Sequence, residues 1–225
     1  MTELRIVPAG DSAVVIELPS QIDPATNARA VALARILSER CAAQVRDAVV
    51  GYSSVTLYFD PRATRLEWLH TEIAAAEAAL PHQVLFDPRV VDVPVYYGGE
   101  HGPDLAAVAA RAHLPEAEIV ALHAGATYRV YLMGFLPGFA YMAHVDSRLA
   151  LPRRTTPRER VPAGSVAIAA GQTGIYPMDC PGGWHVIGWT PVKPYDPART
   201  EPFLFRAGDQ VRFHAVEPSG VRMGS

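Results

Sequence analysis

Two patterns in the sequence predict an α+β chain built in two parts. Over residues 1–88, strand-like runs alternate with helix-like stripes in the order β-α-β-β-α-β. That order is the split-βαβ, or ferredoxin-like, pattern. Over residues 89–225, short apolar runs lie between dense prolines and glycines, which points to a β-barrel or sandwich.

The elements of the first part follow in order. Ala13 to Leu18 is a strand candidate. Asp23-Pro24 supplies a helix N-cap and a proline at the first helical position. Ala30, Leu33, Ala34, Leu37 and Cys41 then recur at helical spacing and make one apolar stripe. Val45 to Tyr52 and Ser53 to Asp60 read as two strands split at Gly51, the second with Val55, Leu57 and Phe59 at period two. Thr64 and Glu67 form a T-x-x-E capping box ahead of the stripe Leu66, Leu69, Ile73 and Leu80. Val90 to Tyr96 closes the pattern as its last strand.

The second part starts near Asp87-Pro88. Asp104 to Arg111 and Pro115 to Ala124 open with helix-start residues and predict two short helices. Tyr128 to Met133, Ser165 to Ala170, Trp184 to Trp189 and Gln210 to Ala215 predict strands. There is no internal repeat.

Composition narrows the function. The 225 residues are 49% hydrophobic and carry 20 Lys+Arg against 23 Asp+Glu, net −3. That balance argues against a nucleic-acid partner, which needs a concentrated positive face. Two cysteines cannot build a disulfide framework. The N-terminal run lacks a signal-peptide pattern, and no stretch of about 18 apolar residues exists. A cytoplasmic protein with no membrane contact is expected. There is no G-x-x-x-x-G-K-[ST], no G-x-G-x-x-G after a strand, no H-E-x-x-H, no C-x-x-C and no G-x-S-x-G. No metal site is expected, and the chain shows no self-contained catalytic machinery.

Three segments can carry chemistry. In Gly134 to Tyr141, two glycines flank Pro137, and Phe135, Phe139 and Tyr141 offer a flat apolar wall. That wall suits a pocket rim or a partner-docking loop, and equally a turn whose aromatics fill the core. Leu151 to Gly164 holds four arginines between prolines, of which Arg153 and Arg158 are anion-site candidates. The plainer reading is a solvated basic loop with Glu159 as internal partner. Gly171 to Pro177 and Pro181 to His185 supply glycine turns that can cradle an oxyanion, with Gln172, Tyr176, Gly182, Gly183 and His185 as candidate substrate-binding residues. A pair of hairpin turns around a Trp184 core plug is the alternative. His123, alone among apolar neighbours, reads as a core histidine. Cys41 reads as core, and Cys180 follows an acidic neighbour that disfavours its thiolate.

Longer runs carry a resemblance. Tyr128 to Tyr141, Pro152-Arg153, Pro157-Arg158, Val161 to Val166, Ile175-Tyr176-Pro177 and Pro181 to Trp184 resemble the family of KipI and of the 5-oxoprolinase B subunit, also labelled allophanate hydrolase subunit 1, a carboxyltransferase-domain family. Gly10 to Ala13, Tyr97 to Leu105 and His123 fit the same family, so the likeness covers nearly the whole chain.

The resemblance implies an N-terminal α+β domain, residues 1–88, and a C-terminal cyclophilin-like β-barrel domain, residues 89–225. It implies an ATP-dependent hydrolase that opens 5-oxo-L-proline to L-glutamate. The chain would be one part of a heteromeric complex, inactive alone. Its partners would be the homologous C subunit (the allophanate hydrolase subunit 2 type) and the A subunit. ATP would be bound by the complex. The family also implies two alternatives, a KipI-like inhibitor of a sensor histidine kinase and a component of a urea carboxylase or allophanate-type carboxyltransferase. An amidase acting on allophanate needs a serine nucleophile and a Ser/Lys base within a Gly/Ser-rich stretch. Lys193 stands isolated after Thr190-Pro191 and no such stretch exists, so that activity is not expected. The chain lacks an Ala-Met-Lys-Met segment and is not expected to carry biotin. Lactam opening driven by ATP suggests an anionic phosphorylated intermediate, which suits Arg153, Arg158 and the glycine turns.

Overall fold

The computed structural model describes residues 4–19, 22–80 and 88–217. The chain is mixed α/β and separates into two compact units, Met1–Pro88 and Arg89–Ser225. Asp87, named above at the start of the second part, lies outside the described residues.

The first unit is an antiparallel sheet of β1 (Arg5–Pro8), β2 (Ala13–Glu17), β3 (Val45–Val50) and β4 (Ser54–Phe59), in the order β1-β2-β4-β3. Helices α1 (Pro24–Arg40) and α2 (Leu66–Ala79) cover it. The expected apolar stripes meet the strands: Leu33, Leu37, Leu69 and Ile73 pack with Val14, Ile16, Val55 and Leu57 in one core. At the start of α1 the Asp23 carboxylate accepts the Thr26 N–H at 2.7 Å, and Pro24 follows as the first helical residue.

Two expectations fail here. Val90–Tyr97 does not join this sheet, and the strand beside β2 is Arg5–Pro8. Four residues ending in a proline were too short a run to stand out. The capping box also fails to form. Thr64 N–H bonds back to the Asp60 carbonyl in the preceding turn, so α2 begins at Leu66 with Arg65 at its N-cap and no side-chain cap.

The second unit is a closed barrel of seven strands. They are β5 (Val90–Tyr97), β6 (Thr127–Met133), β7 (Ala140–Ala143), β9 (Ser165–Ala169), β10 (Gln172–Ile175), β12 (His185–Trp189) and β13 (Gln210–Ala215). The order is β10-β7-β6-β13-β5-β12-β9, and β13 runs parallel to β5. Helices α3 (Leu105–Ala112) and α4 (Glu116–Ala124) pack against it, and β8 (Arg158–Val161) pairs with β11 (Cys180–Gly182) as a separate ribbon. Val93, Val95, Tyr128, Val130, Met142, Ile187 and Phe213 fill the barrel.

His123 is fully buried in that core, stacked on Phe213 with centroids 4.7 Å apart. Its hydrogen bonds run one way. Thr173 Oγ1 donates to the Ala167 carbonyl at 3.2 Å, so it accepts from His123 Nε2 at 2.8 Å. His123 Nδ1 then accepts the Tyr97 hydroxyl at 2.6 Å. The ring is held neutral in one tautomer, and burial pushes its pKa down to about 3.

Strand β9 is buried along its whole length because both faces are covered. Val166 and Ile168 point into the barrel core. Ala167 and Ala169 belong to a second apolar cluster, with Phe139, Val161, Tyr176, Cys180, Trp184 and Val186. The candidate site is built on that second cluster.

Candidate binding site outside the barrel wall

Gly134 to Phe139 folds as a tight turn. Gly134 N–H bonds to the Phe139 carbonyl, and Phe139 N–H returns to Leu136 at 3.0 Å. Phe135 sits at φ 69°, in the left-handed region, with its side chain exposed. Gly138 is required at φ 87°: a Cβ there would lie 2.6 Å from Tyr195 Cβ. The turn drives Phe139 inward to 2% exposure. Its ring meets Phe135, Tyr141, Tyr176 and Trp184 edge-on, at centroid distances of 5.6, 4.9, 5.4 and 5.5 Å.

Above this cluster lies a cavity of about 220 Å³. Phe135, Phe139, Tyr141, Tyr176 and Trp184 form its aromatic wall, and Gly182 and Gly183 its backbone floor. Arg153 supplies its charge. Tyr176 has its pKa raised to about 12, chiefly by burial, with the nearby Trp184 backbone N–H acting in the opposite direction. Its hydroxyl is therefore a proton donor at neutral pH. Burial also raises Tyr141.

Gly182 lets the floor approach Tyr176 closely. A Cβ there would fall 2.5 Å from Tyr176 Oη and 2.8 Å from Cζ. The tyrosine ring cannot retreat, because it is buried against Phe139. Gly182→Ala is expected to cost roughly 1–3 kcal/mol by overpacking, measured as a lower midpoint in urea denaturation. An unchanged midpoint would show that the ring has room to move.

The arginines of the 151–164 segment have separate fates. Arg158 grips Asp104 with both terminal nitrogens, at 2.6 and 2.8 Å, and Arg154 adds a third contact at 2.7 Å. Arg160 pairs with Asp179 near the surface. Arg153 alone of the four points into the cavity, and among the described residues no carboxylate pairs with it.

The cavity thus gathers Arg153, Tyr176, Gly182, Gly183, Phe135, Phe139 and Tyr141. Four candidates lie elsewhere. Arg158 faces a smaller cavity of about 90 Å³ beside His101 and Trp189. Gln172 sits in the barrel wall, its backbone in register with Ala143 and Ala169. His185 Nε2 donates to the Pro152 carbonyl at 2.9 Å. Pro137 is exposed and does not line the cavity. Trp184, read above as a core plug, is both plug and pocket wall.

The lining has no Ser, Cys, His, Asp or Glu. Burial and then the Asp179 carboxylate push the nearby Cys180 thiol up, away from thiolate. Such a cavity can hold a small flat anion, with its carboxylate on the Arg153 fork and its ring on the aromatic wall. It supplies a proton donor but no base. Among the described residues, no group of three or more His, Cys, Asp or Glu is placed to hold a metal ion, and no helix is long and apolar enough to cross a membrane.

Comparison with known proteins places the chain in a family. The family model "Carboxyltransferase domain, subdomain C and D" matches residues 4–205. The 5-oxoprolinase B subunit of Escherichia coli O157:H7 is 41% identical over 217 residues, covering 95% of this chain and 96% of that protein. The 5-oxoprolinase B subunit of Bacillus subtilis (strain 168) is 35% identical over 219 residues, covering 93% and 91%. A crystal structure of TTHA0988 superposes with a TM-score of 0.82 at 40% identity, over 96% of this chain but only 40% of that one. The Kluyveromyces lactis urea carboxylase superposes at 0.73 with 17% identity, over 95% of this chain and 22% of its own, a likeness of fold. The chain belongs to the carboxyltransferase domain, subdomain C and D family, together with these 5-oxoprolinase B subunits.

Proposed function

We propose that this chain is the B subunit of an ATP-dependent 5-oxoprolinase, acting with the C and A subunits to convert 5-oxo-L-proline to L-glutamate in the cytoplasm. The observation that carries this is the end-to-end identity of 41% with a protein named as the 5-oxoprolinase B subunit. The match of this chain to 40% of a longer polypeptide supports a part that works joined to others. In this reading residues 1–88 and 89–225 are its two domains, and the barrel is cyclophilin-like.

The site supports the same substrate class. 5-Oxo-L-proline is a small flat lactam bearing one carboxylate. The Arg153 fork suits that carboxylate, the aromatic wall suits the ring, and the Tyr176 hydroxyl suits an amide oxygen. At about 220 Å³ the cavity is below the roughly 300 Å³ at which drug-sized ligand sites begin. It suits the lactam better than a nucleotide, and in this reading ATP is bound by the complex. ATP supplies the drive for opening an amide. This chain's residues bind the lactam, orient its carbonyl and exclude water from its ring face. In this reading the base that activates water comes from a partner subunit, since no Ser, Cys, His, Asp or Glu lines this cavity. The likeness to urea carboxylase is one of fold and adds no second activity.

The test is co-expression with the A and C subunits and measurement of glutamate released from 5-oxo-L-proline. ATP-dependent release that disappears when this chain is left out is the expected result. A stable complex without turnover would overturn the substrate, and the absence of a complex would overturn the role as a working part of one.

A further inference from the structure

We infer that Asp104 is a positioning residue for Arg153, the end of a strut that sets where the guanidinium sits in the cavity. The inference rests on the reading of that cavity as the carboxylate site. Asp104 precedes α3, yet its side chain does not cap the helix. It turns to the barrel instead. Its N–H donates to the Val186 carbonyl at 2.9 Å, and its carboxylate accepts the Val186 N–H at 2.7 Å. Gly102 makes this docking possible, since a Cβ there would lie 2.1 Å from the Ile187 carbonyl oxygen. Asp104 is thereby fixed on β12 at 3% exposure.

The same carboxylate then holds Arg154 and Arg158. Burial alone would raise its pKa, but the hydrogen bond from Arg158, the Val186 N–H and the two positive charges together lower it. It stays a carboxylate, and two cations compete for one anion. Arg153 lies between two backbone fastenings beside this cluster. On one side His185 donates to the Pro152 carbonyl, and on the other Arg154 N–H donates to Gly183 at 2.8 Å. The Arg154 side chain completes the restraint on Asp104. A freely hinged arginine would lose side-chain and backbone entropy at each binding event, and a backbone held in place removes much of that cost. The strut therefore gives one exposed arginine a fixed root.

The experiment is calorimetric titration of the assembled complex with 5-oxo-L-proline, without ATP. Arg153→Ala is expected to weaken binding more than about tenfold, the loss of a charge-assisted pair. Asp104→Asn is expected to weaken it about tenfold by displacing the root of Arg153. Arg154→Met serves where the buried Asp104→Asn chain does not fold, because it leaves Arg158 and Asp104 as a balanced pair. It is expected to act in the same direction. On an Arg153→Ala background neither second change should weaken binding further, a non-additivity that a merely structural role would not produce. Full effect of Arg153→Ala with none of Asp104→Asn or Arg154→Met overturns the strut and leaves the site standing. Effects that multiply on the Arg153→Ala background also overturn it. No effect of Arg153→Ala, or no binding by the unmodified complex, overturns the site and the strut together.

Discussion

Phe139→Ala is expected to destabilise the barrel unit by about 3–5 kcal/mol, the usual cost of deleting a buried phenylalanine. It should remove ligand binding at the Arg153 cavity as well. The ring is 2% exposed and is the one aromatic in contact with all four of Phe135, Tyr141, Tyr176 and Trp184. Its loss leaves a void among side chains that cannot close together, because Gly182 already brings the backbone against Tyr176. Neighbouring edge-to-face contacts, each worth about 0.5–1.5 kcal/mol, are lost at once. Differential scanning calorimetry of the full chain should show a drop on the order of 10 °C in the transition of this unit. A drop of only a degree or two would mean that the aromatic wall repacks and that the cavity does not depend on Phe139.

The second large effect concerns pH. His123 is neutral in the folded barrel with a pKa of about 3, whereas an unfolded histidine titrates near 6.5. Between those values the unfolded chain binds the extra proton, so stability rises with pH and is lost as pH falls. The loss is about 1.4 kcal/mol per pH unit below 6.5, or about 2 kcal/mol at pH 5. His123→Gln removes the titrating group while keeping an amide able to donate and accept. It should be less stable at pH 7.5 yet show a flatter stability profile between pH 7.5 and 5. Urea denaturation at the two values measures the difference. Parallel profiles for the two proteins would show that His123 does not control the acid response. Asp104, with its lowered pKa, holds its contribution through this window and loses it only at lower pH.

Period and punctuation made most elements legible. The α1 stripe and its Asp23-Pro24 start are local signals, and β4 alternates cleanly. The five strands that escaped notice are short: Arg5–Pro8, Ala140–Ala143, Arg158–Val161, Gln172–Ile175 and Cys180–Gly182. Each holds glycine, proline, charge or small residues, and each owes its conformation to a neighbouring strand. Val90–Tyr97 was legible as a strand but not as a barrel strand, because its partners lie far away in the chain. The site follows the same division. Arg153, Tyr176 and the aromatic turn stand out by residue type. The separation of Arg153 from Arg158 does not, since it depends on Asp104 reaching across 50 residues to claim Arg154 and 54 to claim Arg158. The crowding of arginines was the available clue, since part of such a cluster can be drawn to a buried carboxylate, as Arg154 and Arg158 are to Asp104.

The parallel pairing of β13 with β5 also governs how the chain can fold. β13 lies between β5 and β6, and Arg212 faces Asp92 some 120 residues back. During synthesis both of those strands are made long before their shared neighbour. Until it arrives they present open edges, the state in which β-sheets recruit foreign strands. Barrel closure is therefore a late, high-contact-order event, slow because a long loop must be closed before any ladder bond rewards it. A chain of this kind is most exposed to aggregation just before β13 emerges from the ribosome.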